Sequence, residues 1–355
     1  MTLSTLPLGT TSLRISRVGF GAWAISGGDW SFAWGPQDDA DSIAAIHRAV
    51  DAGLTWIDTA AAYGNGHSED VVGRALRTLP AADRPAVFTK CGLIRDGDGP
   101  DAPIRRVMRP DSVRHEMEGS LRRLGVEAID LYQVHWPGDG QPLGGVGAAA
   151  GDPDQPGGTP LEEYWALMAQ LKAEGKVRAI GLSNHTADLL ERAERVAHVD
   201  VIQPLFSAIH RGAVPELAWA AAHGTGVIVY SPMASGLLTG AFSAARVAAL
   251  PDNDWRARHP DFTAALAANL EVAAALAAVA EARGITTSAA AIAWTLSWPG
   301  VTAAIVGARR PTQIADWAGA ADLTLDDDEL ATVAAAIERS GVGEGPSRPL
   351  LTIRP

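Results

Sequence analysis

The chain has a single cysteine, Cys91, and no long apolar run. One cysteine excludes an intrachain disulfide, so nothing favours an oxidising compartment. No apolar stretch is long enough to span a bilayer, and the start of the chain lacks the basic residues and apolar segment of a signal peptide. We therefore expect a soluble, cytoplasmic protein.

Positive charge is also scarce. The 355 residues include 29 Lys and Arg against 41 Asp and Glu, a formal net charge of -12. This balance argues against binding of nucleic-acid phosphates by the whole surface, although it allows a local basic pocket. No His, Cys, Asp or Glu set has the spacing typical of a metal site, and no G-x-S-x-G elbow of a serine hydrolase is present.

Short apolar segments alternate with helical patterns along most of the chain. A hairpin is predicted over Leu6 to Phe20, around Gly9, and eight strands are counted after the hairpin, each followed by helical sequence. Seven of the eight are placed at residues 55–58, 86–92, 129–136, 177–184, 199–203, 226–231 and 302–307. This alternation is typical of a parallel sheet covered by helices.

An open doubly wound sheet would alternate in the same way. We favour an α/β fold of the (β/α)8 TIM barrel type, with an N-terminal β-hairpin and extra helices, because the strand count matches and polar residues end several strands. We expect one barrel domain over residues 1–355. Two stretches without apolar period, 137–160 and 241–261, are predicted to be exposed loops over the C-terminal face, and the first could act as a lid.

Four polar residues lie at or near the ends of successive predicted strands. Asp58 ends the second strand, Lys90 the third and His135 the fourth, and Tyr63 lies on the loop after Asp58. Neighbouring barrel strands are close enough for these side chains to converge. Each residue alone has an ordinary structural explanation, such as a turn cap or a packed wall residue. All four together are a much less probable coincidence.

The four residues form a coherent acid-base set. We expect the Lys90 ammonium to lower the pKa of the Tyr63 phenol and Asp58 to compensate the buried lysine charge. Such a tyrosine can pass a proton to an oxygen that is becoming an alkoxide, and His135 can orient that oxygen. Cys91 follows Lys90, so strand alternation points its side chain away from the site.

The segments around these residues resemble, in order, the signature segments of the aldo/keto reductase superfamily. They are Asp58-Thr59-Ala60 with Tyr63-Gly64, Thr89-Lys90, Val134-His135-Trp136, Gly181-Leu182-Ser183-Asn184, Tyr230-Ser231-Pro232 and Gly307-Ala308-Arg309. The likeness extends from the hairpin to about Trp317. It is greatest to the bacterial members that share sequence with potassium-channel beta subunits.

The resemblance implies a barrel that binds NADPH without a Rossmann domain, and a catalytic tetrad of Asp58, Tyr63, Lys90 and His135. The implied cofactor-binding residues are Trp23, Ser183, Asn184, Gln203, Tyr230, Ser231, Pro232, Met233, Gly236, Leu238, Gly307, Arg309 and Gln313. By this resemblance, Ser183, Asn184 and Gln203 hold the nicotinamide amide and Tyr230 stacks on the nicotinamide ring. The segment from Gly307 to Gln313 meets the adenosine end of the cofactor. Trp30, Trp34 and Trp136, with Trp23, are expected around the substrate carbonyl, although the Trp30–Trp34 loop could instead simply pack onto the body.

The residues expected around the adenosine end of the cofactor favour NADPH over NADH. Gly307 lets backbone approach a phosphate, and Arg309 suits the 2′-phosphate that distinguishes NADP from NAD. In place of an asparagine that contacts adenine in many relatives, this chain has Trp317, which could stack on the adenine or exclude it.

The function we predict is NADPH-dependent, reversible reduction of an aldehyde or ketone to an alcohol, with Tyr63 as proton donor. A cofactor-binding regulatory module with little turnover, like the channel beta subunits, is the alternative, and a barrel hydrolase or lyase is a third possibility. The partner is a small carbonyl or alcohol substrate, with neither nucleic acid nor membrane. Substrate identity and oligomeric state stay open.

Overall fold

The computed structural model describes residues 3–28, 30–97, 99, 102–145, 149–251 and 254–349. Its strands are β1 Thr5–Pro7, β2 Arg14–Ser16, β3 Val18–Gly21, β4 Trp56–Asp58, β5 Ala86–Cys91, β6 Leu93–Arg95, β7 Ile104–Arg106, β8 Ile129–Val134, β9 Val177–Ser183, β10 Val201–Gln203, β11 Gly226–Val229 and β12 Ala303–Gly307. Eight of them close a parallel barrel in the order β3-β4-β5-β8-β9-β10-β11-β12. The (β/α)8 prediction is confirmed.

The helices lie between and after the barrel strands. They are α1 Asp39–Asp51, α2 His67–Thr78, α3 Pro110–Leu124, α4 Leu161–Ala173, α5 Ala187–Glu194, α6 Val214–His223, α7 Ala244–Ala248, α8 Leu266–Arg283, α9 Thr287–Leu296 and α10 Asp327–Ser340. Within the described residues, no helix is both long and apolar enough to cross a membrane.

The N-terminal hairpin is present, but it is shorter than predicted. β1 and β2 pair antiparallel from Thr5 opposite Ser16 to Pro7 opposite Arg14. The next residues, Val18–Gly21, form the first barrel strand and pair with β12 and β4. The hairpin therefore ends before Phe20, because the backbone of Phe20 is already used in the barrel.

The hairpin closes the floor of the barrel. Leu8 and Ile15 are fully buried and belong to the same apolar cluster as side chains that point inward from the strands. That inner cluster also contains Trp56, Phe88, Leu131, Ala179, Val201, Ile228, Ala303 and Ile305. Apolar side chains thus fill the lower part of the barrel, and the polar residues that face inward lie at the C-terminal ends of the strands.

The two long loops are only partly open to solvent. In the first loop Pro137 and Asp139 are buried, and Asp139 forms an ion pair with Arg106 of β7 at 2.5 Å. The second segment is not wholly irregular, since it contains α7 and two 3-10 helices, Trp255–Arg258 and Pro260–Phe262. Parts of the predicted loops, 146–148 and 252–253, lie outside the described residues.

Trp56 is the largest side chain in the inner cluster, and its indole depends on Gly19. The ring is fully buried and its Nε1–H donates to the Ser16 carbonyl at 2.9 Å. A Cβ on Gly19 would lie 2.1–2.4 Å from three atoms of this ring. The first barrel strand therefore needs glycine here for steric reasons.

Gly19→Ala should destabilise the fold by about 1–3 kcal/mol, because the Trp56 ring cannot move without disrupting the barrel interior. Urea unfolding followed by tryptophan fluorescence measures the loss. Gly319→Ala is the matched control, since a Cβ there meets nothing within 4 Å. Equal stability of the two variants would show that the barrel interior is loosely packed at Trp56.

Candidate active site

Lys90 lies at the centre of the polar cluster at the C-terminal end of the barrel. Its side chain is fully buried, and its ammonium donates to Asp58 Oδ1, to the Thr59 carbonyl at 2.9 Å and to Tyr63 Oη at 3.3 Å. An ammonium group has three hydrogens, so these acceptors use all of them. Lys90 is therefore held as a donor to the phenol oxygen.

Strand alternation on β5 explains why Lys90 and its neighbour separate. Lys90 points into the barrel, whereas Cys91 belongs to the outer cluster between the strands and the helices. The Cys91 thiol is buried and donates to the Gln133 carbonyl at 3.5 Å. The prediction that Cys91 points away from the site is confirmed.

Tyr63 is placed by a tight turn after β4. Its amide donates to the Ala60 carbonyl at 3.1 Å, and the next residue, Gly64, has φ of 59°. A Cβ on Gly64 would lie 2.0 Å from the Ser26 carbonyl oxygen, so only glycine fits. The phenol ring then stacks on Trp23, with centroids 6.0 Å apart.

The pKa of Tyr63 moves in the opposite direction to our expectation. Burial raises it well above 10, and the nearby Asp58 charge raises it further. Burial also lowers the pKa of Lys90, an effect that Asp58 opposes. The expected net lowering was wrong because burial of the phenol and the nearby Asp58 charge outweigh the stabilisation that the Lys90 ammonium gives to a phenolate. Tyr63 is a neutral phenol at neutral pH.

His135 completes the cluster directly after β8. Its ring lies edge-on to Tyr63, with centroids 5.6 Å apart. Burial lowers its pKa well below 6.5, and Lys90 lowers it further, so the imidazole is neutral. Nδ1 is buried without a hydrogen-bond partner among the described residues. Because an unpaired acceptor is tolerated better than an unpaired N–H, this favours the tautomer with the proton on Nε2.

A cleft of about 440 Å³ opens above this cluster. Asp58, Tyr63 and His135 line it, while Lys90 lies behind them. All of the predicted cofactor residues except Leu238 line the same cleft, as do Trp30, Trp34 and Trp136. Leu238 is fully buried in the outer core instead, because the 3-10 turn that contains it directs the side chain inward.

A chain of hydrogen bonds crosses the cleft wall beside His135. Tyr230 donates to Asn184 Oδ1 at 2.8 Å, and Asn184 Nδ2 donates to the His135 carbonyl at 2.9 Å and to Ser183 Oγ at 3.1 Å. Asn184 has φ of 60°, a left-handed conformation that asparagine tolerates. Ser183 in turn donates to the Gln203 carbonyl at 2.8 Å. These side chains have fixed orientations at the cleft surface.

The turn after β11 has an unusual backbone. Ser231, Ala234 and Ser235 have φ of 56°, 46° and 55°, and Gly236 has φ of 95°. Non-glycine residues in this region cost about 1–2 kcal/mol each. Turns that mix left- and right-handed residues direct backbone N–H groups into a concavity that suits an anion.

Arg309 holds in place the loop of residues 30–37, which carries Trp30 and Trp34 and is called the aromatic loop. It donates to Gln37 Oε1 at 2.8 Å, to the Trp34 carbonyl at 2.9 Å and to the Pro36 carbonyl at 2.5 Å. Burial lowers its pKa, and the positive charges of Arg310 and Arg256 lower it further. Positive charge therefore accumulates at this end of the cleft.

Gln313 and Trp317 have structural contacts. Gln313 Oε1 accepts hydrogen bonds from the backbone N–H groups of Arg309 and Arg310 at 2.8 and 3.0 Å. Trp317 is 3% exposed, packs in the outer core and does not line the cleft. Of the two possibilities for Trp317, stacking on an adenine or excluding it, the burial of the indole away from the cleft disfavours stacking.

Sequence reasoning missed several residues in and behind the cleft. Arg246 and Arg256 line it from the 241–261 segment, and the Arg256 guanidinium lies 5.1 Å from the Trp34 ring centroid. Gln133, which bonds to Asp58, was also missed. A polar residue on the inward face of a buried strand, two positions before His135, was the available signal for Gln133. No sequence signal pairs Arg256 with Trp34.

The described part of the chain has no group of three or more His, Cys, Asp or Glu residues arranged to hold a metal ion.

Comparison with known proteins agrees with this geometry. A family model described as the aldo/keto reductase family matches residues 17–338. The NADH-specific methylglyoxal reductase of Escherichia coli is 37% identical over 246 residues, 67% of this chain and 70% of its own. The aldo-keto reductase YhdN of Bacillus subtilis is 32% identical over 93% of this chain and 92% of its own.

Solved structures show the same similarity. The glycerol dehydrogenase AKR11B4 from Gluconobacter oxydans superposes with a TM-score of 0.82 at 34% identity, covering 96% of this chain and 97% of that one. The likeness thus includes the barrel and the segments that surround the cleft.

Glu116 of α3 is a buried acid behind the end of β5. Both of its carboxyl oxygens accept a hydrogen bond from the Gly92 amide, at 3.2 and 3.1 Å. Burial raises its pKa to about 8; the Gly92 bond and Arg123 oppose the rise, and Glu69 adds to it. The folded state therefore binds a proton at neutral pH that the unfolded state releases.

Stability should fall as pH rises from about 4.5 to about 8 because of Glu116. The slope in this window is about 1.4 kcal/mol per pH unit, and the contribution is fully present only below the unfolded pKa. Glu116→Gln should remove this slope, measured by urea unfolding at several pH values. Glu118→Gln, an exposed site on the same helix, is the control. A Glu116→Gln profile parallel to wild type would contradict the account.

Proposed function

Because the chain belongs to the aldo/keto reductase family, we propose that this oxidoreductase uses NADPH to reduce an aldehyde or ketone reversibly to an alcohol, with Tyr63 as proton donor. The observation that carries the proposal is the buried Lys90 ammonium, which donates to Tyr63 Oη and leaves the phenol hydrogen free. Tyr63 lines the cleft, so that hydrogen can be donated to a substrate oxygen there.

The raised pKa of Tyr63 suits an acid. The phenol is protonated at neutral pH and ready to donate. After donation, the phenolate oxygen lies 3.3 Å from the Lys90 ammonium, whose charge stabilises it. Asp58 keeps that ammonium charged although it is buried. The three residues thus hold and release one proton at the Tyr63 oxygen.

His135 orients the oxygen that receives the proton. As a neutral imidazole it can donate from Nε2 into the cleft without bringing a second positive charge beside Lys90. A donor at this position stabilises negative charge as it develops on the carbonyl oxygen. The role is positioning and polarisation, while the proton comes from Tyr63.

The residues of the cleft fit a nicotinamide dinucleotide. Three arginines, Arg246, Arg256 and Arg309, line a cleft in a chain whose net charge is -12. Asp254 pairs with Arg256 at 2.7 Å, whereas the described residues place no carboxylate within ion-pair distance of Arg246 or Arg309. The charge of these two arginines, together with the left-handed backbone from Ser231 to Gly236, suits a diphosphate. Such a cofactor supplies the hydride.

We assign the ends of the cofactor site by their chemistry. Ser183, Asn184 and Gln203 present amide and hydroxyl groups for a carboxamide, and Tyr230 offers a ring face. Arg309 is the proposed partner of a 2′-phosphate, which is the reason to favour NADPH. The NADH specificity named for the Escherichia coli relative is the competing outcome.

A regulatory module that binds cofactor with little turnover is the second candidate. The connected set of Asp58, Lys90 and Tyr63 disfavours it, because binding alone does not require a proton donor. A panel of aldoses, aromatic aldehydes and ketones with NADPH distinguishes the two. Cofactor binding without turnover would favour the module, and no change in NADPH fluorescence would favour a barrel hydrolase or lyase.

Tyr63→Phe should lower kcat by on the order of a hundredfold or more, because the variant lacks the proton donor, while cofactor still binds. Steady-state rates and cofactor fluorescence measure the two properties. Tyr132→Phe is the matched control, since Tyr132 is buried with its hydroxyl 3.4 Å from the Val113 carbonyl. Full activity of Tyr63→Phe would refute the assignment.

Arg309→Ala should weaken NADPH binding by about tenfold or more relative to NADH, because only NADPH carries the 2′-phosphate. Equilibrium titration with both cofactors gives the ratio. Loss of the bonds from Arg309 to the aromatic loop would weaken the binding of both cofactors equally. The ratio of the two affinities therefore reports only the contribution of the 2′-phosphate. Arg310→Ala, at the exposed neighbouring site, is the control. An unchanged ratio would remove Arg309 from the phosphate site.

A further inference from the structure

Three polar side chains meet inside the barrel just above its hydrocarbon layer. Asp58 of β4 is 2% exposed, Gln133 of β8 is fully buried and Gln203 of β10 is 2% exposed. Gln203 Nε2 donates to Asp58 Oδ2 at 2.9 Å and to Gln133 Oε1 at 3.0 Å. Gln133 Nε2 also donates to Asp58 Oδ2, at 3.3 Å. The three residues form a closed triangle of hydrogen bonds.

The chemistry of the triangle fixes which way each amide faces. A carboxylate only accepts hydrogen bonds, so both glutamines must turn their NH2 groups toward Asp58. The second N–H of Gln203 is then taken by Gln133 Oε1. Both hydrogens of the Gln203 amide are used inside the barrel, and its Oε1 is the atom left to line the cleft. Asp58 and Gln133 together fix the orientation of Gln203.

The neighbouring strand leaves room for this contact. Gly181 of β9 pairs with Gln133 on one side and with Val201 on the other. A Cβ on Gly181 would lie 3.1 Å from Gln133 Cγ and 2.8 Å from the Val201 carbonyl oxygen. The absence of a side chain on β9 allows the glutamines of β8 and β10 to meet across it.

We propose that Gln133 is a positioning residue that couples the proton donor to the cofactor end of the site. It supplies a donor to Asp58, whose other oxygen holds Lys90, and it turns the Gln203 carbonyl oxygen toward the cleft. The proposal rests on the proposed function, since it assigns Asp58 to the proton-donating set and Gln203 to a carboxamide. Gln133 itself does not line the cleft, so it acts only through these two side chains.

Gln133→Leu should keep the volume of the side chain but remove both of its hydrogen bonds. Asp58 Oδ2 then keeps one donor, and the Gln203 amide is held by Asp58 alone, so its position in the site is less fixed. We expect kcat to fall by about tenfold and NADPH binding to weaken by a similar factor. Binding of 2′-phospho-ADP-ribose, which carries the same phosphates but no nicotinamide, should not change. This binding comparison does not require turnover.

Gln133→Glu provides a chemical test of the same contacts. When protonated, the introduced carboxyl group can donate to Asp58 and accept from Gln203; when ionised, it repels Asp58. Activity relative to wild type should therefore rise as pH falls. A residue that only filled space would give a ratio independent of pH. This variant also keeps the proposal testable if Gln133→Leu does not fold.

Leu131→Val is the matched control. Leu131 is fully buried, lies two residues earlier on the same inward face of β8 and touches the hydrocarbon layer instead of the triangle. It should lower the Tm without changing kcat, the pH profile or the affinity for either ligand. A similar result for the folded Gln133→Leu variant, or a pH-independent ratio for Gln133→Glu, would overturn the proposal. If wild type itself reduced no carbonyl with NADPH, the proposed function would fail instead.

Discussion

The buried ion pair between Lys90 and Asp58 is the interaction on which the rest of the site depends. An ammonium without a counter-ion would be very costly at a position fully closed to water, and removing one partner of such a pair typically costs several kcal/mol. With the pair intact, Lys90 has one hydrogen left for the Tyr63 oxygen after Thr59 is satisfied. Tyr63 therefore keeps its own hydrogen for a ligand. Tyr63 can donate its proton into the cleft because Lys90 occupies the phenol oxygen only as a hydrogen-bond donor.

The barrel supplies the rigidity that the pair requires. Hydrocarbon packed around Trp56 closes the lower half, so the polar residues of the next layer have fixed surroundings. Gly64 and Gly181 also help to position the site. Because neither has a side chain, the Ser26 backbone can approach Gly64 and the Gln133 side chain can approach Gly181. Arg309 brings positive charge to the far end of the cleft, beside the ion pair between Arg256 and Asp254. Proton donor and anion site are thus separate parts of one cavity.

Much of this arrangement is predictable from the sequence, because parallel strands bring their C-terminal ends to one rim. Asp58, Lys90 and His135 end or follow successive strands, and that alone places them together. The sign of the Tyr63 pKa shift was not predictable, since desolvation depends on every atom around the phenol. The burial of the Leu238 and Trp317 side chains away from the cleft was not predictable, because the local 3-10 turns decide which way these side chains point and sequence spacing does not define such a turn. Arg256 and Gln133 were missed because their partners lie on distant segments.

The protonation state of Tyr63 is the most direct test of the central claim. The chain has only four tyrosines, so selective carbon-13 labelling at Cζ gives four NMR signals, and the Tyr63→Phe spectrum identifies the one from Tyr63. The account predicts that this signal keeps the chemical shift of a neutral phenol from neutral pH to beyond pH 10, the ordinary tyrosine pKa. A tyrosinate shift at neutral pH would contradict it, because Lys90 would then stabilise an anion instead of donating to a protonated phenol.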